Sequence, residues 1–190
     1  MKRIATLLWQ HSILALLCVS LACTQAQVDA VLSDADLLLQ TAQSLESAIG
    51  ALSPADAAAL SILTGIGIKG IQLIQKDYDA YEAAKTPSNL DNILAAVNTL
   101  QANLPQELST LHISNPVAVQ KATAWVTLVT DFTAFVVREV NTVQARGTMT
   151  LSMPTPETLQ AQWQEKVCNG DAACGALVHV RHKHLKRKLL

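Results

Sequence analysis

The apolar segment from Pro116 to Gly147 limits more than any other feature how this chain can fold. Its apolar residues recur at alternating steps of three and four, which is the repeat of one face of a helix. The face comprises Val119, Ala122, Val126, Val129, Thr133, Val136, Val140 and Val143. Four larger side chains widen it to more than half of the circumference: Trp125, Leu128, Phe132 and Phe135. Because a helix with so little polar surface must be covered by its neighbours, the pattern predicts a buried central helix.

The preceding residues predict three further helices with well-marked ends. A first amphipathic helix runs from Val28 to a C-cap near Gly50. Later helices begin where a polar residue, which can cap the first turn, precedes a proline, whose missing N–H costs nothing there. These starts are Ser53-Pro54, Thr86-Pro87, Asn115-Pro116 and Thr155-Pro156. The third helix should end or kink at Pro105. The sequence therefore predicts an all-α fold, with an antiparallel bundle of about four main helices over residues 27–147.

The C-terminal part predicts a separate helical hairpin. Residues 148–155 lack a clear period and predict a linker, and residues 156–190 predict the hairpin with a basic tail. Cys168 and Cys174 flank an Asn-Gly turn, and thiols of an exported chain pair in an oxidising compartment. We therefore predict a disulfide between Cys168 and Cys174. Two thiolates are too few for a zinc site, so we predict neither a metal nor a cofactor.

Residues 1–26 have the organisation of an export signal. Lys2 and Arg3 precede an apolar stretch, and Thr24-Gln25-Ala26 supplies small residues before a cleavage point at Gln27. The mature protein is then periplasmic or extracellular, and Cys168 and Cys174 are its only cysteines.

Two other interpretations of the N-terminal segment stay open. Ser20-Leu21-Ala22-Cys23 resembles a bacterial lipobox, in which the signal ends before Cys23 and this cysteine is lipidated; Ser20 stands where the pattern prefers Leu. An uncleaved anchor from Ile4 to Cys23 would bury Gln10 and His11. The lipobox would anchor the protein to the membrane, and all three interpretations export the body.

The charges divide the mature chain into an acidic body and a basic tail. From Gln27 to Val178 there are 15 acidic and 7 basic residues, and His179 to Leu190 carries five basic residues and no acidic one. The five are Arg181, Lys183, Lys186, Arg187 and Lys188. We expect them to bind an anionic surface, either a membrane or another acidic component of the envelope. The tail has no aromatic residue for base stacking, so we expect no nucleic acid; the sequence leaves the oligomeric state open.

No motif in the chain predicts catalysis. Gly65 to Gly70 matches GxGxxG, but it lies in the middle of a helical pattern without a preceding strand, so close helix packing is the better interpretation. The chain has no GxSxG, HExxH or Walker loop. The sequence thus predicts a non-enzymatic binding or structural component of the bacterial cell envelope. The alternative is a membrane-active protein that inserts the glycine-rich helix 57–74, although Lys69 makes insertion costly.

Overall fold

The protein is built from helices that begin at the predicted polar–proline steps. The structure, a computed structural model, describes residues 28–146 and 155–179. Helix α1 occupies residues 28–49, followed by α2 (Pro54–Ala83), α3 (Pro87–Thr110) and α4 (Pro116–Arg146). The C-terminal hairpin contains α5 (Pro156–Gln162), a π-helical turn (Trp163–Val167) and the short α6 (Ala172–Gly175). The described residues contain no strand, which confirms the all-α fold class.

Side-chain caps explain why the helices begin where they do. Ser53, Thr86 and Thr155 each accept a hydrogen bond from a backbone N–H in the first turn of α2, α3 and α5. The Oδ1 of Asn115 accepts from the first N–H groups of α4. At the other end of α1, Gly50 follows the last helical residue with φ of 91°, a left-handed conformation that favours glycine.

The four long helices pack through contacts between successive helices and between α1 and α4. Extensive contacts join α2 to α3 and α3 to α4. The Nζ of Lys121 donates to the Ala48 carbonyl at 2.6 Å, and Trp125 Nε1 donates to Thr41 Oγ1 at 3.0 Å. Residue numbers thus rise along α4 as they fall along α1, so these two helices are antiparallel.

Helix α4 is the buried centre, with one correction at its start. Every member of the predicted face is buried except Val119, which is 41% exposed. Ala118 and Ala122 are fully buried, so the covered face begins one residue earlier than predicted. Val119 lies about 60° around the helix from Ala122, at the edge of the covered face, and it is exposed there.

Pro105 does not end α3, so of the two predicted outcomes, an end or a kink, the structure excludes the end. The helix continues through Pro105 to Thr110. Leu104 is buried at 1% exposure, and Leu108 packs against the core one turn later. Burial of these two leucines offsets the loss of the single backbone hydrogen bond that proline cannot donate.

The GxGxxG segment lies inside α2, where its glycines allow close packing. A Cβ atom on Gly67 would collide with the indole ring of Trp125, and one on Gly70 would press against Leu100. Gly65 faces open space, with no atom within 4 Å of the position of a Cβ. The motif therefore serves helix packing, as the sequence predicts, and no strand-to-helix turn exists here for a dinucleotide.

Substitution by alanine should have opposite effects on stability at Gly67 and at Gly65. We expect Gly67→Ala to destabilise the protein by about 1–3 kcal/mol, because the rigid, buried Trp125 has no room to move. Gly65→Ala should stabilise it by about 0.5–1 kcal/mol through helix propensity alone. Urea unfolding of both variants measures the difference, and equal effects would contradict the packing of α2 on α4.

Candidate functional site

The structure brings the two predicted cysteines together. Cys168 and Cys174 lie at disulfide distance, with Cα atoms 5.5 Å apart. Asn169 and Gly170 form the intervening turn with positive φ angles, and Asp171 caps α6 by accepting from two backbone N–H groups. Cys23 and the basic residues Arg181, Lys183, Lys186, Arg187 and Lys188 lie outside the described residues, as do the export segment and most of the linker.

Removal of the cysteine pair should loosen the hairpin without unfolding the protein. The bridge closes a short loop, so its loss should cost at most about 2–3 kcal/mol. We expect the double Cys168→Ser, Cys174→Ser variant to keep its helical circular dichroism but to be cleaved faster by protease beyond Val167. Free-thiol labelling of both cysteines in the non-reduced native protein would contradict the bridge.

The hairpin is held against α1 and α4. Lys166 Nζ lies 3.6 Å from Asp131 Oδ2 on α4. The Ser44 hydroxyl on α1 donates to the Leu177 carbonyl at 3.3 Å, and the backbone N–H of His179 donates to Gln40 Oε1 at 3.3 Å. Docking of the hairpin in this position leaves an open groove between α3, α4 and α5.

We call this cavity the α3–α4–α5 groove; it has a volume of about 600 Å³. That volume is within the range of small-molecule sites in proteins. Three buried side chains lie along it, Phe132, Phe135 and Leu159. Its other lining residues are Asn98 and Gln101 from α3, Asp131, Ala134, Val137 and Arg138 from α4, and Gln162 from α5.

The polar side chains of the groove are suited to binding. Asn98, Gln101 and Gln162 form no side-chain hydrogen bond to another described residue, so their amides can each donate and accept. Arg138 lies over the ring of Phe135, with its Cζ 5.7 Å from the ring centroid. Asp131 is paired with Lys166. Among the described residues that line it, the groove has no hydroxyl, thiol or imidazole that could act as a nucleophile or proton carrier.

Several polar side chains outside the groove are buried. Asp34 is fully buried, and neither of its carboxyl oxygens has a hydrogen-bond partner among the described residues. Burial, and secondarily the charge of Glu157 on α5, raise the pKa of Asp34 to about 8. The carboxyl of Glu139 and the phenol of Tyr78 are also buried, and burial together with Glu139 raises the pKa of Tyr78.

Neither polar group forms a metal site. Within residues 28–146 and 155–179, no three His, Cys, Asp or Glu side chains lie close enough to hold a metal ion. Comparison with protein-family models, curated proteins and solved structures gave no match.

Proposed function

We propose that the protein is a non-enzymatic binding component of the bacterial cell envelope, whose ligand lies in the α3–α4–α5 groove. The observation that carries the proposal is the set of amide groups of Asn98, Gln101 and Gln162 around an open cavity, none of which hydrogen-bonds to another described residue. Apart from Asp131, which is paired with Lys166, the polar groups of the lining are amides and a guanidinium, which bind ligands by hydrogen bonding and charge. The envelope location rests on the export features of residues 1–26.

Blocking the groove tests this function. Ala134 is exposed and lines the groove, so Ala134→Trp should fill it without disturbing the core. The matched control is Ala58→Trp, at an exposed position of α2. We expect native mass spectrometry of protein recovered from the envelope fraction to show a bound small molecule in the wild type and the control only. Recovery in the cytosol with Met1 retained, or the same mass in all three proteins, would contradict the proposal.

A membrane-active function is the second candidate, and one property of α2 favours it. Among the described residues, α2 is the one helix long and apolar enough to cross a membrane, with a mean hydropathy of 1.6 over a window that is 39% buried. Ile62 and Leu73 are 51% and 42% exposed on its surface. In this proposal helix 57–74 inserts into the bilayer, and the basic tail stays at anionic head groups.

Fractionation separates the two functions. Protein that is soluble, or released by a salt wash after cleavage of residues 1–26, supports the binding component. Protein that needs detergent for release after that cleavage supports insertion of helix 57–74. A salt-sensitive association that Lys186→Gln and Arg187→Gln weaken would support binding of the basic tail to a membrane surface or to another acidic envelope component.

A further inference from the structure

We infer that the ligand of the α3–α4–α5 groove is a short, extended peptide with a free carboxylate, which binds at Arg138. The inference rests on the proposed function and specifies its ligand. Arg138 is exposed, and no acidic partner pairs with it among the described residues. Asp131 is paired with Lys166, so Arg138 is the charged side chain of the lining that has no ion-pair partner among the described residues.

The position of Arg138 suits a carboxylate. The cation–π contact with Phe135 favours one placement of its guanidinium group, so less side-chain entropy is lost when it binds. A guanidinium group presents parallel N–H donors that match the two oxygens of a carboxylate. The body of the chain, from Gln27 to Val178, contains 15 acidic and 7 basic residues and so has a net charge of −8. A site that attracts a carboxylate is a local exception in this acidic body.

The dimensions and polar groups of the groove favour an extended peptide. Asp131 and Arg138 are seven residues apart on one helix face, a distance of about 10 Å along the axis. Three residues of extended peptide span about the same length. Asn98 and Gln101 lie on one side of the groove and Gln162 on the other, where their amides can pair with peptide N–H and C=O groups.

A sugar acid fits the same charge less well. Sugar rings pack against exposed aromatic faces, and the aromatic rings of this groove are covered. Phe132 is 1% exposed and Phe135 is 5% exposed, with Arg138 lying over the latter. The apolar side of the groove therefore offers small contacts, such as the methyl group of Ala134, which suit a small peptide side chain.

A matched pair of peptides tests the inference on the full mature chain. N-acetyl-trialanine with a free carboxylate and its C-terminal amide are titrated into the protein, followed by NMR. We expect the free acid to bind at least tenfold more tightly than the amide. Arg138→Gln should remove this difference, whereas Lys76→Gln, which removes a positive charge from the exposed surface of α2, should preserve it. Circular dichroism verifies that each variant is folded.

The other outcomes distinguish an error in the peptide ligand from an error in the proposed binding function of the groove. Equal binding of both peptides, blocked by Ala134→Trp, would overturn the carboxylate assignment and keep the groove as a binding site. Binding of glucuronate but of neither peptide, again blocked by Ala134→Trp, would overturn the peptide and favour a sugar acid. Absence of binding by the free acid at millimolar concentration overturns the inference. A mass-spectrometric ligand lost in Ala134→Trp would still support the proposed function.

Discussion

Trp125→Ala is expected to lower the free energy of unfolding by about 3–5 kcal/mol, the largest effect of any single truncation we predict. Trp125 is fully buried where three helices meet. Its ring fills the space that Gly67 leaves on α2, and its Nε1 donates to Thr41 on α1. Truncation would leave a large cavity and would deprive Thr41 Oγ1 of its donor.

Urea unfolding measures this effect, with two variants as references. Trp125→Phe keeps most of the ring volume and loses the hydrogen bond, so it should cost clearly less and stay folded if the alanine variant does not. Val119→Ala, at an exposed position of the same helix, should change the free energy of unfolding by less than about 0.5 kcal/mol. A cost for Trp125→Ala no greater than that of Val119→Ala would contradict the packing of α1, α2 and α4.

Asp34→Asn should stabilise the protein at neutral pH by on the order of 2–4 kcal/mol. Asp34 is fully buried without a hydrogen-bond partner among the described residues, and its pKa of about 8 keeps it protonated at pH 7. The unfolded chain ionises the same carboxyl near pH 3.8, so folding at pH 7 must return a proton to it. An asparagine of nearly the same shape avoids this cost.

The sign of the pH dependence follows from the raised pKa of Asp34. Below pH 3.8 the carboxyl is protonated in both the folded and the unfolded state, so no free energy is needed to protonate it on folding. Between pH 3.8 and about 8 only the unfolded state loses the proton, so the contribution of Asp34 to stability falls as the pH rises. Above about pH 8 both states are ionised and this contribution becomes constant.

Unfolding experiments at pH 4 and pH 8 test this dependence. The stability gained by Asp34→Asn should be small at pH 4 and larger at pH 8. The control is Asp36→Asn, at an exposed position of the same helix. A gain from Asp34→Asn that is the same at both pH values would contradict the burial of the Asp34 carboxyl near Glu157.

Local features of the sequence determine most of the fold, and for that reason they could be predicted. The capping of α2, α3 and α5 depends on residues within three positions of each other. The buried face of α4 depends on spacing along one helix, and only Val119 departs from it. The helix does not end at Pro105, because burial of Leu104 and Leu108 is a tertiary effect that a local rule does not include.

The candidate site could not be predicted, because three separate segments form it. Asn98, Arg138 and Gln162 are polar residues on three different helices, and nothing in their local sequence indicates a shared groove. For the burial of Asp34, which lies outside the groove, the sequence carries a weak indication, because Asp34 adjoins Ala35 on the apolar face of α1 that begins at Val28. The basic tail, by contrast, is conspicuous in the sequence, and its predicted binding to an anionic surface stays a prediction.

Binding of a small molecule in the α3–α4–α5 groove is tested most directly by locating the bound ligand with NMR. Isotope-labelled mature protein is mixed with small molecules extracted from bacterial envelopes, and its backbone and side-chain amide resonances are followed by NMR. We expect the side-chain amide resonances of Asn98, Gln101 and Gln162 to shift together, and Ala134→Trp to abolish these shifts. Shifts centred instead on Ile62 and Leu73 of α2, or no shifts at all, would contradict a binding function for the α3–α4–α5 groove.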